Sequence, residues 1–240
     1  MICLQGWTAG QLSNPKFDWV KNINKKLQQK DIDTHYEEVS SVFAMCWNLA
    51  RQKFPSPIIE DFEKFLTIVN PPRMQYNMSV PGFSLSIDGH THQFHQQPFA
   101  PPSGQTTSNY ARYIHTESNG TRYMFLWFTG RECSEGSQSE SVNCGGNFFL
   151  ADYGVRVQAA RDTSIVWEPR NAHGTSLMEK DERFLQTGLS MGISKRLASV
   201  WQKYKDGLDL DGNMDKEVEE VFAREEEHDI DMVEEGEIVE

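Results

Sequence analysis

The chain has 240 residues, 38% hydrophobic and 11% aromatic, enough to bury a sizeable core as one large domain or a domain with an extension. No apolar run approaches the ~18 residues of a transmembrane helix, and the opening MICLQGWTAGQLSNPKFDW lacks the basic flank and apolar stretch of a secretory signal, so the sequence reads as intracellular, cytoplasmic or nuclear, with no membrane partner. The net charge of -12 is uneven: residues 206–240 hold 16 of the 35 acids and two bases, for -14, while residues 1–205 stand at +2, which does not favour nucleic acid as a partner.

In chain order, Phe17, Val20, Ile23 and Leu27 recur near helical spacing and predict a first helix over 17–29, broken by DIDT. Val39, Val42, Phe43, Cys46, Trp47 and Ala50 give one apolar face to a second helix over 36–54. Ser56-Pro57 marks the start of a third, over 58–69, stopped by Pro71-Pro72. These helices define an N-terminal support region over 1–74.

From 75 to 205 the pattern changes to short strands between Gly, Pro, Asn and Ser turns. FSLSI (83–87), HTHQF (90–94), YARYIHT (110–116), RYMFLWFT (122–129), NFFLADY (147–153), VRVQA (155–159), TSIVWE (163–168) and FLQTGLSMG (184–192) are the expected strands. Asp88-Gly89 and Asn119-Gly120 are expected hairpin turns. So many short strands point to a sandwich or jelly roll rather than a βαβ fold. The low-complexity stretch RECSEGSQSESVNCGG (131–146) reads as a loop, and a last helix over 194–205 precedes a solvated acidic tail over 206–240. Within that tail Asp209, Asp211, Asn213, Asp215 and Glu220 have calcium-loop spacing, but Met214 replaces the turn glycine, and an acidic linker is the better account.

Phosphate-loop, dinucleotide and nucleophile-elbow glycine motifs are absent. The cysteines, Cys3, Cys46, Cys133 and Cys144, have no C-x-x-C spacing, so a zinc ribbon or thioredoxin-like site is disfavoured; Cys133 and Cys144 read as free thiols. Metal chemistry is better placed on histidine. His115 and Glu117 form a His-x-Glu at the end of an expected strand, where i and i+2 share a side. A distal His173, after another strand, would complete a two-histidine, one-carboxylate face that suits iron(II) and leaves positions open. His35-Tyr36-Glu37 has the same spacing, but on a helix those side chains diverge. Arg183, ten residues beyond His173, could clamp a carboxylate through two parallel hydrogen bonds. Asn109, Tyr110, Arg112 and His92 are candidates for the pocket wall.

The stretch GGNFFLADYGVRV…TSIVWEPRNAHGTSL, with NYARYIHTE upstream, resembles the double-stranded β-helix core of the iron(II)/2-oxoglutarate dioxygenases. In particular it resembles a large fungal set with GG-x-F-x-x-x-x-YG and HGTSL segments, over about residues 83–205. The resemblance implies an α+β chain with a double-stranded β-helix (jelly-roll) core. It also implies Fe(II) and 2-oxoglutarate as cofactors, with His115, Glu117 and His173 as metal ligands and Arg183 on the distal carboxylate of 2-oxoglutarate. Glu117 stands where Asp is commoner. The expected activity is hydroxylation, most readily of a small-molecule substrate. Three alternatives stand beside it: a nucleobase oxygenase of the TET/JBP type, a cupin-like metal oxygenase without 2-oxoglutarate, and a non-catalytic jelly-roll binding module.

Overall fold

The computed structural model describes residues 1–23, 27–77, 82–132, 145–178 and 184–207. The chain is a mixed α+β protein whose strands pair antiparallel. It opens with β1 (Ile2–Gln11) and β2 (Asn14–Trp19), followed by α1 (Gln29–Lys53) and α2 (Ser56–Ile68). A hairpin of β3 (Gly82–Ile87) and β4 (His90–His95) precedes β5 (Ser103–Ser108) and β6 (Met124–Glu132). After β7 (Phe148–Leu150) come β8 (Val155–Val157), β9 (Ser164–Trp167), β10 (His173–Thr175), β11 (Leu185–Met191) and α3 (Lys195–Lys205).

Six strands form one sheet in the order β2-β1-β5-β11-β6-β9, and three form a second in the order β10-β7-β8. Strand alternation gives the large sheet two working faces. Phe125 of β6 with Leu189 and Met191 of β11 packs against Phe43, Trp47 and Phe62 of the helices. The opposite parity, Met124 and Phe128 of β6 with Ile165 and Trp167 of β9, packs toward Phe148 of the small sheet. The helices sit close to the sheet at Gly104 of β5, where a Cβ would lie 2.3 Å from Phe43 Cε1. Phe17 and Trp7 stack at 4.8 Å between their ring centroids, and Phe17 belongs to a further cluster with Phe65, Ile193 and Leu197.

Several expected elements hold. The helices over 36–54, 58–69 and 194–205 are present as α1, α2 and α3, and Ser194 caps α3 by accepting from Leu197 N–H. Asp88 and Gly89 adopt positive φ, 50° and 78°, as a two-residue turn between β3 and β4 requires.

Others are corrected. The helix expected from Phe17 gives way to β2, because Pro15, Phe17 and Trp19 alternate buried and that period of two pairs with β1. DIDT lies inside α1 instead of breaking a helix. Residues 1–74 are therefore not wholly helical, and β1 is hydrogen bonded along β5 in the main sheet. YARYIHT does not form a regular strand; it keeps a single bridge, His115 to His173. Asn119-Gly120 makes no hairpin, since Asn119 bridges Ser194 and Gly120 packs on Phe65. Arg183, Cys133, Cys144 and the acidic residues 208–240 lie outside the described residues. Among the described residues, no helix is long and apolar enough to cross a membrane.

Candidate metal centre

Three short pieces of chain bring His115, Glu117 and His173 together. His173 opens β10 and is 3% exposed. Its N–H donates to the His115 carbonyl and its own carbonyl accepts from His115 N–H, both at 3.0 Å. This reciprocal bridge puts the two imidazole centroids 4.4 Å apart. Glu117 N–H donates to the Pro169 carbonyl at 2.8 Å, which turns the side chain back toward the rings. Glu117 Oε1 then lies 3.3 Å from His115 Nε2, and the ligand atoms of all three residues fall within 4.8 Å of one another. The neighbour that lets the bridge close is Gly174, where a Cβ would meet Phe149 Cζ at 2.8 Å and the Arg112 carbonyl at 3.0 Å.

The ring orientations are fixed from behind. His115 Nδ1 is 2.9 Å from the Tyr113 carbonyl, and His173 Nδ1 is 2.8 Å from the Asn171 carbonyl. A carbonyl only accepts, so each Nδ1 carries the hydrogen and, in the neutral ring, each Nε2 keeps its lone pair. Burial, reinforced by His115 and opposed by the Asn171 carbonyl, holds the pKa of His173 below its ordinary 6.5 and favours that neutral form. His115 Nε2 faces Glu117 Oε1, and in the neutral rings both Nε2 lone pairs are free to join the carboxylate as metal ligands. Imidazoles whose second nitrogen is held by a carbonyl are the usual outer support of a metal ligand set.

The centre opens on a recess of about 630 Å³ including its mouth, between the two sheets. Its walls differ in chemistry. Met124, Leu126, Phe128, Phe148 and Trp167 form an apolar side, while Gln105 and Thr107 of β5 with Gln186 and Ser190 of β11 form a neutral polar one.

The expected pocket residues divide. Tyr110 lines the recess. Arg112 Nη1 donates to Glu117 Oε1 at 3.2 Å, and its pKa is raised by the neighbouring Tyr110 side chain and by Glu117. Asn109 instead ties the chain to β11: its Nδ2 donates to the Phe184 carbonyl at 2.8 Å and its Oδ1 accepts from Gln186 N–H at 2.7 Å. His92 is exposed on β4 and does not line the recess, because the β3–β4 hairpin packs its apolar side on α1 around Ala44, Phe83 and Phe99. His35 is exposed on α1, apart from the centre.

The polar wall was missed from sequence. SGQTTS carries none of the bulky β-branched apolar residues that mark a core strand. The available signal was the alternation Gln186, Gly188, Ser190 within an expected strand, whose other parity carries Leu185, Leu189 and Met191. No protein-family model matches the chain, and no curated protein is similar to it in sequence.

Proposed function

We propose that the protein is a non-heme iron(II)/2-oxoglutarate-dependent oxygenase with a double-stranded β-helix core, acting on a small molecule. The observation that carries the proposal is the His115–Glu117–His173 cluster, whose ligand atoms lie within 4.8 Å of one another and whose two Nδ1 atoms are both held by backbone carbonyls. Two imidazoles and a carboxylate are the donor set of non-heme iron(II) centres that keep open positions, so the residues fit the ion.

The strand order supports the jelly-roll part of the proposal. Taking β5, the His115 segment, β6, β7, β8, β9, β10 and β11 as eight consecutive segments, the first pairs with the eighth, the second with the seventh, the third with the sixth and the fourth with the fifth. That nesting is what results when one long hairpin is rolled into two sheets.

In this reading His115, Glu117 and His173 hold the ion, which with 2-oxoglutarate supplies the activation of O₂ for insertion into a C–H bond. The chain's own residues do the rest. Carbonyls of Tyr113 and Asn171 keep the ring nitrogens aimed inward. The polar wall offers hydrogen bonds to a bound acid or substrate, and the aromatic wall keeps water from the reacting bond. Arg183 supplies the cation for the distal carboxylate of 2-oxoglutarate.

An anaerobic titration of the metal-free protein with iron(II) and 2-oxoglutarate tests the proposal. The expected result is the visible absorption band of a chelated 2-oxo acid, lost in His115→Ala and in His173→Ala, with weaker 2-oxoglutarate affinity in Arg183→Ala. Tight iron binding without the band would favour a cupin-like oxygenase, and absence of iron binding would leave a binding module.

A further inference from the structure

We infer that Arg112 is a positioning residue for Glu117, holding its carboxylate where a metal ion can use it. The inference rests on the metal-binding reading above and adds a role for a residue outside the ligand set. Glutamate has one more rotatable bond than the aspartate usual in a His-x-Asp pair, so its oxygens sweep a larger volume and ordering them costs more side-chain entropy. In this chain the extra freedom is removed from both ends of the residue. The Glu117 N–H is fixed on the Pro169 carbonyl at 2.8 Å, and the Oε1 atom accepts from Arg112 Nη1 at 3.2 Å.

Arg112 is itself anchored, which separates a support from a loose surface cation. Its carbonyl accepts from Thr175 N–H at 2.9 Å, and the neighbouring Tyr110 side chain favours its charged form. Thr175 ends the strand that His173 begins, and Gly174 between them lies close against the Arg112 carbonyl, which an added Cβ would meet at 3.0 Å. Arg112 therefore ties the segment carrying His115 and Glu117 to the strand carrying His173 through its backbone, while its side chain sets the third ligand. The opposing possibility is that the guanidinium sits on Glu117 as a stand-in for the ion and is displaced by it. The two roles predict opposite signs: a support strengthens metal binding, a stand-in competes with it.

The deciding measurement is the dissociation constant of the full-length protein for iron(II) alone under anaerobic conditions, with cobalt(II) absorption as a second readout of ligand geometry. Arg112→Met is expected to bind iron(II) about 10- to 100-fold more weakly than wild type, the usual cost of losing an outer-shell partner, with a changed cobalt(II) spectrum. Arg112→Lys should recover part of the loss. In a Glu117→Gln background, where the charge-assisted bond is gone, Arg112→Met should cost much less, because Arg112 acts through Glu117. Unchanged or tighter binding in Arg112→Met, or an equal loss in both backgrounds, would overturn the inference. Melting of the metal-free variants monitors folding, and if Arg112→Met does not fold, Arg112→Gln is held to the same criterion. A wild-type protein that binds neither metal would refute the metal centre itself, an outcome distinct from a wild type that binds and a variant that is indifferent.

Discussion

Asp18 shows how a single exposed turn of strand can carry a pH signature. Burial alone would raise its pKa, but hydrogen bonds from Lys16, Lys21 and the Trp19 N–H outweigh it and bring the carboxyl from its ordinary 3.8 to about 2. Both lysine Nζ atoms lie 2.8 Å from Oδ2. Because the folded value is below the unfolded one, the native state favours the ionised carboxyl, and the stabilisation is present above pH 4 and lost as pH falls from about 4 to about 2. The pair is solvated, so its worth is at most about 1 kcal/mol. The expected outcome is that Asp18→Asn lowers the urea midpoint at pH 6 but not near pH 2, measured as paired denaturation curves at the two pH values. At the same scale, the histidines were legible from sequence as residue types at a spacing, whereas their hydrogen-bonded Nδ1 atoms were not, since the Tyr113 and Asn171 carbonyls that hold them are positioned by the chain path.

Among elements, β5 depends most on its neighbours. It is short and polar, yet it pairs with β1 on one side and β11 on the other, and α1 covers it through Phe43. Gly104 has ordinary strand geometry, so its role is space: a Cβ would meet Phe43 Cε1 at 2.3 Å and the Ser190 carbonyl at 2.8 Å. Gly104→Ala is expected to destabilise the protein by about 1–3 kcal/mol through overpacking, read as a lowered denaturant midpoint with unchanged slope. The aromatic Phe43 was visible as a core residue of a helix, but the bare backbone it rests on was not, because nothing local distinguishes a glycine left small for packing from one in a loop.

Across the whole molecule, β1 and β2 bind the beginning of the chain to the main sheet. Removing residues 1–19 would expose the edge of β5 and take Trp7, Phe17 and Trp19 out of two core clusters. The full chain is therefore expected to unfold in one cooperative transition through residues 1–207, and a fragment of residues 75–207 to lack a calorimetric transition and near-ultraviolet structure. Two separable transitions would instead mark the N-terminal region as an independent unit.

Local signals by themselves determined α2 through Ser56-Pro57 and the Pro71-Pro72 stop, and the β3–β4 turn through Asp88-Gly89, because helix starts and tight turns depend on residues within one turn of chain. They also named His115, Glu117 and His173, since the spacing of potential ligands is written in the chain. Tertiary structure alone decided that Phe17 lies on a strand, that SGQTTS is central in a sheet, and that the His-x-Glu segment converges by one bridge to β10 rather than along a strand of its own. β2 pairs with β1 across a short hairpin, whereas the other two outcomes turned on hydrogen-bond partners far along the chain, such as Gly104 with Gln5 of β1. Pairing at that distance overrides a local period that fits helix and strand almost equally well.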